Sequence, residues 1–159
     1  MGYRSDVRIV VSRNGYKKFK KYVEEHIEKY KKSLPPDSIS AISNYDYNLL
    51  NSLDVSKISP DKKEVYFGWD SLKWYDGYED VDAIMDSLNR LAENGYGYGY
   101  ARLGEDVEDY EELHSESSTK DDIEDIYVPS ISRYFSDDDL YCDCDLKKEF
   151  MDKNKDKER

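Results

Sequence analysis

Two cysteines one residue apart, two histidines, a glycine–tyrosine run and a dense string of carboxylates are the residues of this chain with chemistry to offer. Cys142-Asp143-Cys144 lies among Asp137, Asp138, Asp139 and Asp145, so thiolates and carboxylates together present metal ligands. Zinc takes four ligands, however, and neither a second Cys pair nor a His is near in sequence. The carboxylates lack the glycine-containing spacing of a calcium loop. Two free thiols, with no metal and no cofactor, are the expectation. His26 falls on or beside the apolar side of a helical segment, and His114 lies in an acidic stretch. A hydrolytic triad needs a nucleophile in a strained turn and a His aimed at it, and no Gly-x-Ser-x-Gly or Cys/His signature is present. Gly95, Gly97 and Gly99 alternate with Tyr96, Tyr98 and Tyr100 in a strand period, and no helix start follows, so this is not a phosphate loop. No catalytic residues are assigned, and the chain is not expected to be an enzyme.

The carboxylates are the stronger signal. Glu105, Asp106, Glu108, Asp109, Glu111 and Glu112 run on through Asp121, Asp122, Glu124 and Asp125, with Tyr110 and Tyr127 interleaved. Residues 105–145 hold 16 acidic groups against Lys120 and Arg133, a balance of −14, whereas residues 1–33 hold 10 basic and 4 acidic groups, a balance of +6. A solvated loop is the ordinary reading of such a run. The sharper reading is a phosphate-mimicking surface, since duplex DNA carries one charge per ~1.7 Å of axis and carboxylates at similar density, mixed with Tyr, fit a basic groove. At pI ≈ 4.6 direct nucleic-acid binding is disfavoured. Tyr96, Tyr98 and Tyr100 resemble a base-stacking platform, but the neighbouring negative charge repels phosphates. A half-buried aromatic sheet face, or a protein-binding one, suits them better.

Elements must position these groups. The chain has 159 residues, enough for one domain. Its 38% charged residues lean toward disorder, and its 14% aromatic residues toward a packed core. Val7, Ile9 and Val11 alternate in a first strand; Tyr16, Phe19, Val23, Ile27 and Tyr30 then recur at helical spacing over 13–33, up to Pro35-Pro36. Leu49, Leu50, Leu53, Val55 and Ile58 suggest a short helical turn and a strand. Val65, Phe67 and Trp69 give a strand over 63–70, and Val81, Ile84, Leu88 and Leu91 a helix over 78–93, stopped at Asn94-Gly95. Residues 96–103 form a strand whose Gly97, Gly99 and Ala101 face would let a helix approach closely. Residues 105–125 are read as a loop or exposed helix, and 127–135 as an edge strand bearing Pro129. The expected fold is α+β: a split β-α-β antiparallel sheet with two helices on one face, as a single domain over 1–145 with an acidic C-terminal extension. Residues 146–159 are read as a charged tail, a frayed helix or disorder.

Three blocks add a resemblance. Met1-Gly2-Tyr3-Arg4-Ser5-Asp6-Val7, Phe67-Gly68-Trp69-Asp70-Ser71-Leu72-Lys73-Trp74-Tyr75, and Arg102-Leu103-Gly104-Glu105-Asp106 with Glu108-Asp109 resemble a family of small bacteriophage and prophage proteins. The chain departs from that family in its tyrosine–glycine strand and its acidic extension. The resemblance implies a phage origin, and the charge implies a basic partner. The expected function is an anti-defence inhibitor, of the anti-CRISPR or anti-restriction kind. It would act in the host cytoplasm, occupying the basic channel of a host nucleic-acid-binding protein or nuclease complex. No apolar run reaches the length of a membrane span, and the N-terminus has no signal-peptide core. The alternative is an enzyme or sponge for a small phosphorylated signalling nucleotide, with Arg4, Arg8 and Arg102 on the phosphates and His26 as base.

Overall fold

The computed structural model describes residues 3–35, 46–75, 77–106, 108–115 and 142–150. Its strands are β1 (Ser5–Ser12), β2 (Val55–Ile58), β3 (Glu64–Leu72), β4 (Tyr98–Leu103), β5 (Tyr110–Ser115) and β6 (Cys142–Asp143). Its helices are α1 (Arg13–Ser33), α2 (Glu79–Glu93) and α3 (Leu146–Glu149), with a 3-10 turn at Leu49–Ser52.

β1 passes into α1 without a loop because Ser12 caps the helix, its Oγ accepting from Gly15 N–H at 2.8 Å. Of the apolar spacing read from the sequence, Tyr16, Phe19, Val23 and Ile27 form the buried stripe of α1, joined by Tyr22, while Tyr30 is half-buried. The helix ends at Leu34, whose backbone is extended, as suits a residue before Pro35. In α2 the first turn carries Glu79, Asp80 and Asp82, which suits the positive end of the helix dipole, and Gly95 at φ 88° follows its end.

All strand pairs are antiparallel, in the order β5-β4-β1-β3-β2-β6. Each of α1 and α2 joins two strands that flank a third, which is the split β-α-β arrangement in an α+β fold. The core lies between the helices and one sheet face, where Val7, Ile9, Val11, Val65, Phe67, Trp69, Tyr98 and Tyr100 point. Trp74 closes it between β3 and α2, its ring 5.5 Å from Trp69 and 6.4 Å from Tyr100. The opposite face is also buried at Arg8, Val10, Tyr66 and Ala101. Gly68 is obligatory there, because a Cβ would lie 1.8 Å from the Val7 carbonyl oxygen.

Three expectations change. The tyrosine side of β4, not its glycine side, faces the helices: register with β1 places Tyr98 and Tyr100 beside Val11 and Ile9, and aromatic area is what the core buries. Within 105–125, residues Tyr110–Ser115 are strand β5 rather than loop or helix, because pairing along β4 satisfies their backbone whatever their side-chain polarity. At the C-terminal end, Leu146 is buried in the core, and Phe150 packs 4.7 Å from Tyr16 under the Arg13 guanidinium. The strand expected over 127–135 lies outside the described residues, as does 151–159.

Candidate functional site

Leu103 ends β4, the chain turns over 104–109, and β5 returns along the sheet edge. Gly104 N–H donates to the Asp109 carbonyl at 2.8 Å, and Asp109 N–H to the Asp106 carbonyl at 3.0 Å. Arg102 locks the turn. Its Nη2 and Nη1 donate to Asp109 Oδ1 at 2.7 Å and Oδ2 at 3.2 Å, its Nε to Glu111 Oε1 at 2.7 Å, and its Nη1 to Ser5 Oγ at 2.9 Å. Tyr3 adds its hydroxyl to Asp109 Oδ2 at 2.6 Å and accepts from Asp106 N–H at 3.0 Å. Glu105 Oε2 takes the Arg4 N–H at 2.5 Å. Nothing larger than glycine fits at Gly104, where a Cβ would sit 2.1 Å from Asp109 Oδ2 and 2.4 Å from the Tyr3 hydroxyl. The Arg102 guanidinium, then the Tyr3 hydroxyl, holds the Asp109 carboxyl below the usual carboxylate range. The Asp109 carboxylate in turn raises the pKa of Arg102.

This network divides the acidic run. Asp109 and Glu111 are neutralised within the fold, and Glu105 is spent on a backbone donor. Asp106, Glu108 and Glu112 are exposed, and no described cation pairs with them. Tyr110 is 56% exposed. Asp121, Asp122, Glu124, Asp125 and Tyr127 lie outside the described residues. Leu113, 40% exposed on β5, was not singled out from the sequence; the only signal for it was an apolar residue stranded in a polar run. Tyr3 and Ser5 were equally illegible as a scaffold, because their partners are far along the chain, and the Arg102 pairs with Asp109 and Glu111 depend on the register of β4 with β5.

The three sequence blocks converge at this end of the sheet. Arg4 Nη1 donates to the Ser71 carbonyl at 2.9 Å, Ser71 N–H to Asp6 Oδ1 at 2.9 Å, and Arg8 Nη2 to Asp70 Oδ1 at 2.7 Å. With Arg102 on Ser5 and Arg4 on Glu105, the blocks make one hydrogen-bonded unit.

The groups required by a nucleotide site are engaged elsewhere. Arg8 is buried and Arg102 is surrounded by carboxylates. An open hollow of about 720 Å³ beside the turn is lined by Asp6 and Glu105 as well as Arg4, an unfavourable setting for phosphate. His26 Nε2 lies 2.7 Å from Glu79 Oε1, and Nδ1 3.4 Å from Asp86 Oδ2, so both ring nitrogens face carboxylates between α1 and α2. Burial, then Glu149 and Asp145, raises the pKa of the Cys144 thiol, which disfavours the thiolate that metal binding or nucleophilic attack needs. Among the described residues there is no cluster of three metal-ligating side chains, and no helix is long and apolar enough to cross a membrane. No protein family matches the chain, and no curated protein or solved structure matches it.

Proposed function

We propose that this chain is a binding protein: a phage-encoded anti-defence inhibitor that engages a host nucleic-acid-binding protein or nuclease complex by offering carboxylates in place of phosphates. The observation that carries it is the division of the acidic run. The Arg102 network fixes the hairpin and leaves Asp106 and Glu108 on its turn and Glu112 on β5 exposed, with no cation paired to them among the described residues, beside exposed Tyr110. Fixed, unneutralised carboxylates at one end of a chain of net charge −12 steer toward a cationic groove. The phage origin and the anti-defence role rest on the resemblance of the three blocks. The nucleotide enzyme or sponge draws no support from the engaged arginines and His26.

The test is capture of partners from host lysate, followed by kinetics with the triple variant Asp106→Lys, Glu108→Lys, Glu112→Lys. The reading expects nucleic-acid-binding partners, competition by duplex or guide nucleic acid, and affinity that falls with salt as the Debye length shrinks from about 8 Å. The variant should slow association more than it speeds dissociation, as peripheral charges do. A folded triple variant that binds as wild type does would overturn the reading.

A further inference from the structure

β5 is the terminal strand of the sheet, and among the described residues nothing pairs with its outer side. The Gly104 to Asp109 backbone bond sets the alternation of the hairpin, so Glu111 and Leu113 bond inward to β4. Tyr110, Glu112 and His114 therefore turn their N–H and C=O groups outward. Natural sheets guard such edges with charged side chains, Lys above all, or with Pro, a bulge or a covering element, and β5 carries only the carboxylates of Glu111 and Glu112, the first of them paired with Arg102. Residues 110–115 contain no Lys, Arg or Pro, and their register with β4 runs without a break.

A second observation falls on the same six residues. Of the three exposed large hydrophobic side chains among the described residues, Tyr110 and Leu113 are both on β5, whereas the third, Tyr78, packs edge-on against Tyr75 at 5.1 Å. Alternation puts Tyr110, Glu112 and His114 on one face of the strand and Glu111 and Leu113 on the other. We infer that β5 is a docking edge that accepts an extended basic segment of the partner as a further antiparallel or parallel strand, with cations on the Tyr110–Glu112 face and aliphatic side chains on the Leu113 face. This rests on the proposed acidic-surface function and supplies its geometry. Backbone bonds give the affinity, and alternate side chains the selectivity. Glu112 meets a cation directly across the pair, and Tyr110 offers its ring to the next. A second copy of this chain is the wrong occupant, because pairing two β5 edges would bring together like carboxylates from Glu112 and both turns.

The probe is a synthetic decapeptide alternating Lys and Val, added to the full chain at low salt, with a control peptide of the same charge N-methylated at alternate residues. The unmethylated peptide should bind and slow hydrogen exchange at the Tyr110, Glu112 and His114 amides. The methylated one should bind about tenfold more weakly or worse, having lost its edge donors. His114→Pro removes one outward N–H at a position where an edge strand tolerates proline and leaves every carboxylate in place; it should weaken the peptide similarly. Should that variant not fold, the comparison of the two peptides on wild type decides. Equal binding of the two peptides, or no binding of the unmethylated one, would overturn strand addition; equal binding would leave the charge reading standing. If the triple Lys variant binds the unmethylated peptide as tightly as wild type, with the same amides protected, backbone strand addition stands, while the acidic-surface function and the cation opposite Glu112 both fall.

Discussion

Arg102 separates carboxylates that hold the fold from carboxylates that are free, and replacing it makes that division measurable. Its side chain is 13% exposed, between Asp109 at 34% and Glu111 at 51%. A hydrogen bond to a charged group contributes about 1.5–3 kcal/mol net when buried. The Glu111 pair is largely in water, which reduces its share to about 0.2–1 kcal/mol. Arg102→Gln should therefore cost roughly 2–4 kcal/mol, leaving Asp109 without its bidentate partner. At about 2–4 °C per kcal/mol for a chain of this size, the melting temperature should fall by roughly 4–16 °C. Arg102→Lys should fall between, since an ammonium keeps the charge and loses the fork. The triple variant at Asp106, Glu108 and Glu112 should stay within about 2 °C of wild type. Thermal unfolding by circular dichroism reads all three, and hydrogen exchange at the Gly104 amide reports the turn. If Arg102→Gln melts with wild type, the turn is not held by these pairs. A triple variant that melts as low as Arg102→Gln would show that the division itself is wrong.

Two more outcomes follow from the packing and the charges. Trp74 is 8% exposed against Trp69 and Tyr100, so Trp74→Ala should lower the unfolding free energy in a urea titration by about 3–5 kcal/mol; an unchanged midpoint would mean that the ring bears no load. Asp109 has its folded pKa depressed, so its contribution is fully present above the unfolded value of about 4 and is lost as pH falls below that toward the folded value. Stability of wild type should drop through this acid window more steeply than that of Asp109→Asn, and parallel pH profiles would refute the assignment.

Reversing every carboxylate of residues 108–112 is, on this structure, a poor test of phosphate mimicry. It would break the Arg102 pairs along with any partner contact, and lost binding would then report a damaged hairpin. The carboxylates of the acidic run are alike in composition, and a guanidinium contributed by the neighbouring strand divides them.

Local sequence was enough for the elements that carry their own period. The apolar spacing of α1 and α2, the alternation of β1 and β3 and the stop at Asn94-Gly95 all follow from side chains a few residues apart, where a helix or strand leaves one face to bury. With two helices and alternating strands in that order, the split β-α-β layout was the simplest packing, and it is the one found. β5 has no such period. It is a strand because Leu103–Tyr110 and Arg102–Glu111 fall in register, and backbone pairing does not require apolar side chains. Period two in 96–103 likewise showed that β4 has two faces without showing which is inward; its pairing with Val7, Ile9 and Val11 of β1 decided that. The division of the acidic run came last, since it needs Tyr3, Ser5 and Arg102 around Asp109, residues up to 106 positions apart. Charge is a property of composition, but whether a carboxylate is neutralised depends on what the fold places within hydrogen-bonding distance of it.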